Sequence, residues 1–103
     1  MSSTTLEKLQ ARFNPEAAQD MNEVFQFHLS DAGNYYLNIH AGTLEIIKGE
    51  HDDPSISLSM ETGTLKGIMN GEINGMTAFM TGRLKATGNV MLATRLTDLF
   101  PHK

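Results

Sequence analysis

Apolar and polar residues alternate in four segments of the first sixty residues, and this pattern constrains the fold more than any other feature. In the first segment, Phe25, Phe27 and Leu29 alternate with Gln26 and His28. This is the period of a β-strand with one buried face. The same alternation recurs in residues 35–40, 43–48 and 55–60. The sequence therefore predicts four half-buried strands.

The connection Ala41-Gly42 between the second and third segments is short enough for a tight hairpin. Closing that hairpin pairs Ile39 with Leu44 and Leu37 with Ile46. Each pair joins two apolar residues of one face, so the register of the hairpin agrees with the hydrophobic pattern. We expect the first three strands to form an antiparallel meander.

Apolar residues at helical spacing follow the fourth strand. Leu65, Ile68 and Met69 would lie on one face of a helix that begins near residue 61 or 62. Two further helices are predicted, each with an asparagine cap and an apolar stripe. These are Asn74 with Met76, Phe79 and Met80, and Asn89 with Leu92, Ala93, Leu96 and Leu99 or Phe100.

A fifth strand is predicted from Gly82 to Gly88, with Leu84 inward and the cations Arg83 and Lys85 outward. The helical connection between the fourth and fifth strands favours a crossover that makes these two strands parallel. Every strand has one polar face. The sheet should therefore be covered by helices on one side and exposed to water on the other, in one domain spanning residues 1–103.

Composition argues against several kinds of partner. The chain has 8 Lys and Arg against 12 Asp and Glu, for a net charge of −4. This charge disfavours nucleic-acid binding, stable membrane insertion and stable docking on anionic lipid, although it permits brief encounters with a lipid surface. The absence of cysteine excludes disulfides and thiolate chemistry. Residues 1–5 lack the pattern of a secretory signal. No apolar run reaches the length of about 18 residues that a membrane-spanning helix needs. We expect a cytoplasmic protein.

The sequence contains no recognisable catalytic motif: no nucleophile elbow, Walker A loop or dinucleotide fingerprint. Ser55, Ser57 and Ser59 lie on the polar face of a strand, without a histidine at local spacing. The acidic segment His51-Asp52-Asp53 is interpreted as a loop turn, since a metal site needs three or more convergent ligands. We therefore expect no enzymatic activity, no catalytic residues, no metal and no cofactor.

Two groups of residues in the second half leave alternatives open. Five of the seven methionines lie there, and they either fill gaps in a small core or line an adaptable apolar cavity. Arg83 and Lys85 either attract the carboxylate or phosphate of a ligand or protect an edge strand from unwanted pairing.

The segment AFMTGRLKATGN, from Ala78 to Asn89, resembles the signature of the sterol-carrier-protein-2 family of small lipid carriers. In that family a similar run of aromatic residue, methionine, glycine, basic residue and Leu-Lys leads into the last helix. Two other segments, FNPEAA at residues 13–18 and GEIN at residues 71–74, fit the family in order and spacing. The resemblance extends roughly from Leu6 to Leu99.

The resemblance implies an α+β fold, in which helices cover one face of a five-stranded, mostly antiparallel sheet and enclose an apolar tunnel. It implies binding of a fatty acid, fatty acyl-coenzyme A, sterol or phospholipid without catalysis. Arg83 and Lys85 are the candidates for contact with a lipid headgroup. By position, the tunnel walls would be Phe25, Phe27, Leu65, Ile68, Met69, Met76, Phe79, Met80, Leu92 and Leu96.

Two departures from the family pattern affect the expected cavity. Asn74-Gly75 stands where many relatives have Asn-Pro, and the sequence ends at Pro101-His102-Lys103, without the longer C-terminal segment of animal members. We expect a smaller or more open cavity, which accommodates a single-chain lipid more easily than a sterol.

An alternative hypothesis keeps the fold and fills the cavity. The domain would then be an interaction module, whose partner is a second copy of the chain or a lipid-metabolising enzyme. Tyr36, Ile47 and Phe100 are its candidate contacts, because the pattern places them outward or near the end of the chain.

Overall fold

The computed structural model describes the backbone of residues 3–101 and the side chains of residues 7–96 and 98–101. The strands are β1 (Asn22–Leu29), β2 (Gly33–His40), β3 (Thr43–Lys48), β4 (Ile56–Met60) and β5 (Lys85–Gly88). The α-helices are α1 (Ser3–Arg12), α2 (Thr62–Met69), α3 (Gly75–Met80) and α4 (Leu96–Leu99). Two 3₁₀-helices, η1 (Pro15–Ala18) and η2 (Val90–Arg95), complete the order.

The hairpin between β2 and β3 confirms the predicted register. Ile39 pairs with Leu44 and Leu37 pairs with Ile46 in an antiparallel ladder. The turn places Ala41 at φ 47° and the following glycine at φ 84°. Two consecutive residues with positive φ match the twist of a tight two-residue hairpin. The register was therefore predictable from local sequence.

The five strands form one mixed sheet in the order β3-β2-β1-β4-β5. Its only parallel pair among the described strands is β1 with β4, and β4 pairs antiparallel with β5. The prediction that the fourth and fifth strands are parallel is therefore wrong. The segment that contains α2 and α3 brings the chain back to the end of β4. There Ser59 of β4 pairs with Lys85 at the start of β5.

The inner face of the sheet carries the apolar core. Phe25 and Phe27 of β1 are completely buried, as are Leu37 of β2 and Leu58 of β4. Helical residues from both ends of the chain pack on the same cluster, including Leu9 of α1. The alternation of apolar side chains in the sequence thus defines one continuous buried surface.

The outer face is less exposed than the alternation predicts, because the 49–54 loop folds back on it. The amide Nε2 of Gln26 donates hydrogen bonds to the carbonyl oxygens of Tyr35 (3.1 Å) and Gly49 (3.0 Å). Its Oε1 accepts from the backbone N–H of His51 at 2.7 Å. Gln26 is 1% exposed as a result. A fully wet outer face was therefore a wrong prediction at this position.

The predicted last helix is divided into two shorter elements. Residues 90–95 form η2 and residues 96–99 form α4, and the side chain of Asn89 makes no capping hydrogen bond. Asn89 therefore occupies the predicted N-cap position, but without a capping hydrogen bond from its side chain. By contrast, the side chain of Asn74 accepts from the backbone N–H groups of Met76 (2.9 Å) and Thr77 (3.1 Å), which confirms it as the cap of α3.

Candidate functional site

A small apolar cavity lies between the inner face of the sheet and helices α1, α2 and α4. Its volume is about 20 Å³, which is close to the minimum that holds one water molecule. All of its lining side chains are apolar, and they come from β1 and from helices far apart in the sequence. They are Leu9, Phe27, Leu65, Ile68, Met69, Leu96 and Phe100.

Helix α2 supplies three of the seven lining residues, and hydrogen bonds from distant segments hold both of its ends. At the first turn, the carboxylate of Asp31 accepts from the backbone N–H (3.0 Å) and the hydroxyl (2.8 Å) of Thr62. At the last turn, the guanidinium Nη1 of Arg12 donates to the carbonyl oxygen of Met69 (2.8 Å) and to Oδ1 of Asn70 (3.1 Å). The helix is thus positioned by the β1–β2 turn and by α1.

The contact between Asp31 and Thr62 should make stability depend on pH. Hydrogen bonds from the Thr62 backbone and hydroxyl lower the pKa of Asp31 in the folded state. A lowered folded-state pKa adds stability that is present above the unfolded pKa and is lost as pH falls through the folded pKa. We expect Asp31→Ala to be less stable than wild type in urea denaturation at pH 7, and the difference to shrink below about pH 4. An unchanged difference at pH 3 would contradict this assignment.

The structure brings together five of the ten residues predicted to line a tunnel. Phe25 is buried in the core beside the cavity lining, and Leu92 is half-buried against the core, but neither borders the cavity. Sequence reasoning missed Leu9 and Phe100 as lining residues. The helical spacing of Leu9 gave a usable signal, whereas Phe100 lay at an uncertain helix end. The five are Phe27, Leu65, Ile68, Met69 and Leu96.

The apolar stripe predicted for α3 points outward, which corrects the expectation that it is buried. Met76, Phe79 and Met80 are exposed, whereas Ala78 is 1% exposed. The carbonyl oxygen of Ala78 accepts hydrogen bonds from two backbone N–H groups just beyond the helix, those of Arg83 and Leu84. A six-residue helix buries one narrow face, and in α3 this is the face of Ala78. Helical geometry then places Met76 and Met80 about 160° away from it.

The two candidate headgroup residues are not near the cavity. Arg83 and Lys85 are exposed and border an open groove of about 540 Å³, together with His28 and Ser59 of the outer sheet face. The cavity lies on the opposite face of the sheet, against Phe27. These cations do not line the cavity, and their contact with a ligand headgroup stays a prediction.

No helix within residues 3–101 is both long enough and apolar enough to cross a membrane.

The family comparison covers almost the whole chain. A family model described as the SCP-2 sterol transfer family matches residues 5–101. Among curated proteins, hydroxysteroid dehydrogenase-like protein 2 of Rattus norvegicus is 32% identical over 90 residues. The matched part is 84% of this chain but 17% of that protein. The chain thus spans less than a fifth of the length of this relative.

Solved structures share the fold. Sterol Carrier Protein 2 from Yarrowia lipolytica, in its apo form, is 26% identical with a TM-score of 0.76, over 95% of this chain and 88% of that one. Palmitated SCP2L2 from Aedes aegypti is 20% identical with a TM-score of 0.71, over 99% of this chain and 96% of that one. The latter likeness shows the fold alone.

Proposed function

Because this chain belongs to the SCP-2 sterol transfer family, we propose that it binds a single-chain lipid, such as a fatty acid, without converting it chemically. The observation that carries the proposal is the convergence of apolar side chains from β1, α1, α2 and α4 on one cavity. A lining without polar groups suits an acyl chain, since burial of apolar surface stabilises by about 25 cal/mol per Å² before the costs of association.

The ligand requires the cavity to expand. Ligand sites usually occupy about 300–1,000 Å³, whereas this cavity measures about 20 Å³. Ile68 and Leu96 are half-buried wall residues, so the wall that they form is close to solvent. Leu96 is the first residue of α4, a four-residue helix with few internal hydrogen bonds. We propose that α4 and the adjoining η2 move away from α2 to admit the acyl chain.

A fatty acid is the favoured ligand for two reasons. The cavity must widen less for a linear chain than for a rigid sterol nucleus, and the unbranched side chain of Met69 can rearrange to admit such a chain. A protein of the same fold, from Aedes aegypti, has been solved in its palmitated form. Palmitate is therefore the first probe for this chain.

Two measurements test lipid binding. Native mass spectrometry of the freshly purified protein, followed by solvent extraction, should show a stoichiometric lipid adduct. In palmitate titrations, Ile68→Trp should weaken binding about 10-fold or more, because the larger side chain fills the cavity. The matched control is Ile47→Trp, which changes a similarly half-buried isoleucine on β3, outside the cavity, and should bind like wild type.

The proposal fails if the purified protein carries no lipid and its mass stays unchanged after incubation with palmitate. It also fails if the variants at positions 68 and 47 bind palmitate equally.

The small volume of the cavity also favours a second candidate, the interaction module with a filled core. Its partner would be a second copy or a lipid-metabolising enzyme. Phe100 is 5% exposed and cannot serve as one of its contacts, which corrects that prediction. Tyr36 lies with its ring edge-on to the ring of His51, with centroids 5.2 Å apart, and Ile47 is half-buried. A lipid-free protein that sediments as a dimer would favour this candidate.

A further inference from the structure

An exposed apolar surface is formed by α3 and η2, outside the cavity. Its five large side chains belong to residues that are between 45% and 78% exposed. The two elements lie against each other, so the exposed side chains come from adjacent parts of the fold. We call this the α3–η2 surface, formed by Met76, Phe79, Met80, Val90 and Met91.

The sequence segment that carries the α3–η2 surface has a net charge opposite in sign to that of the whole protein. Residues 73–97 contain no Asp or Glu but three cations. The rest of the chain carries all 12 Asp and Glu and only five of the 8 Lys and Arg. Although the net charge of the whole protein is −4, the segment that contains the exposed apolar residues is therefore basic.

Two of these cations are held close to α3. The backbone N–H of Arg83 donates to the carbonyl oxygen of Ala78 at 2.9 Å, which places Arg83 beside the end of the helix. Lys85 begins β5 two residues later and is exposed. Within the described residues, the side chains of Arg83 and Lys85 form no ion pair. Glu61 borders the same open groove as these two cations, on the outer side of the sheet. The third cation, Arg95, instead donates to the carbonyl oxygen of Ala17 at 3.2 Å.

We propose that the α3–η2 surface docks reversibly on an anionic lipid bilayer. Exposed apolar side chains flanked by cations are typical of surfaces that lie in the headgroup region, with apolar groups at the acyl boundary and cations near lipid phosphates. Each cation near such a surface strengthens binding about fivefold, from about 1 kcal/mol per Lys or Arg. The acidic residues elsewhere would orient the protein with this face toward the membrane.

This inference goes beyond lipid binding in the cavity and does not depend on it. Docking is measured by binding of whole vesicles and needs no ligand inside the protein. Failure of palmitate to bind would leave the docking result intact, and the reverse also holds.

Vesicle co-sedimentation of the full chain tests the proposal. The probes are vesicles of phosphatidylcholine alone and vesicles with about 30% phosphatidylserine, which supplies the anionic surface. We expect the partition coefficient of the wild type to be about 10-fold or more higher on the anionic vesicles, and to fall as salt is raised from about 50 to 500 mM, because salt screens surface charges.

Two double variants separate the apolar and charged parts of the surface. Met80→Gln with Met91→Gln should lower partitioning about 10-fold or more. Arg83→Gln with Lys85→Gln should lower it by a similar factor and reduce the salt dependence. The matched control is Lys8→Gln with Lys48→Gln, which causes the same change in net charge at exposed positions outside the surface and should change partitioning less than twofold. Urea denaturation checks that each variant folds.

Three results would overturn the proposal. The first is no preference of the wild type for anionic vesicles. The second is an equal loss of partitioning in the control and in the variant at positions 83 and 85. The third is a wild type that sediments as a dimer together with a Met80→Gln, Met91→Gln double variant that sediments as a monomer. This would assign the surface to a second copy of the chain.

Discussion

Replacing Phe27 by alanine is expected to lower the free energy of unfolding by about 3–5 kcal/mol and to enlarge the cavity beside α2. Phe27 is completely buried and borders the cavity, so its removal joins new empty volume to the existing space. Apolar cavities of this kind remain dry and accept apolar molecules. Saturating palmitate should therefore raise the melting temperature of Phe27→Ala more than that of the wild type.

Phe25→Ala is the control for this prediction. It removes an equally buried phenylalanine from the same face of the same strand, but Phe25 does not border the cavity. The loss of stability should be similar, whereas the increase in melting temperature with palmitate should not exceed that of the wild type. Equal responses of the two variants to palmitate would show that the ligand does not use this cavity.

The substitution Gln26→Leu should cost about 2–4 kcal/mol of stability, although it adds an apolar side chain to a buried position. The amide of Gln26 makes four hydrogen bonds to backbone groups, two of them in the loop at Gly49 and His51. Leucine removes these hydrogen bonds, and each backbone group that is left unsatisfied costs about 1–3 kcal/mol. Urea denaturation measures the loss, and amide exchange at His51 should become faster.

Asn38→Ala is the matched control for Gln26→Leu. Asn38 lies on the same outer face, on the neighbouring strand, and its side chain makes a hydrogen bond of 3.4 Å to the exposed Glu45. Its replacement should change stability by no more than about 0.5 kcal/mol. Unchanged amide exchange at His51 in Gln26→Leu would mean that the glutamine does not hold the loop.

The strands and their inner face could be predicted because they follow from local patterns. Phe25 and Phe27 alternate with polar residues, and a sheet turns alternate side chains to one side. The hairpin register followed from the two residues Ala41-Gly42, and the stripe of α2 from the spacing of Leu65 and Met69. The family signature in residues 78–89 then identified the fold, which the solved relatives share.

The cavity could be predicted only in part, because its lining comes from segments far apart in the chain. Leu9 and Phe100 meet at one space across about ninety residues, and no local spacing signals such a contact. The hydrogen bond from the guanidinium of Arg12 to the carbonyl oxygen of Met69 joins residues 57 positions apart. Pairing of this kind depends on how helices pack against the sheet, which periodicity does not specify.

By itself the sequence determined where the first four strands lie, which of their faces is apolar and how the hairpin pairs, because these depend on neighbours a few residues apart. The fifth strand begins at Lys85 and not at the predicted Gly82. Only the tertiary structure decided that β4 lies parallel to β1, that Gln26 is buried beneath the 49–54 loop and that α3 buries Ala78 while exposing Met80. Each of these depends on which distant segment occupies the adjacent space. The exposed methionines are the main consequence, since they move a predicted wall of the cavity to the surface.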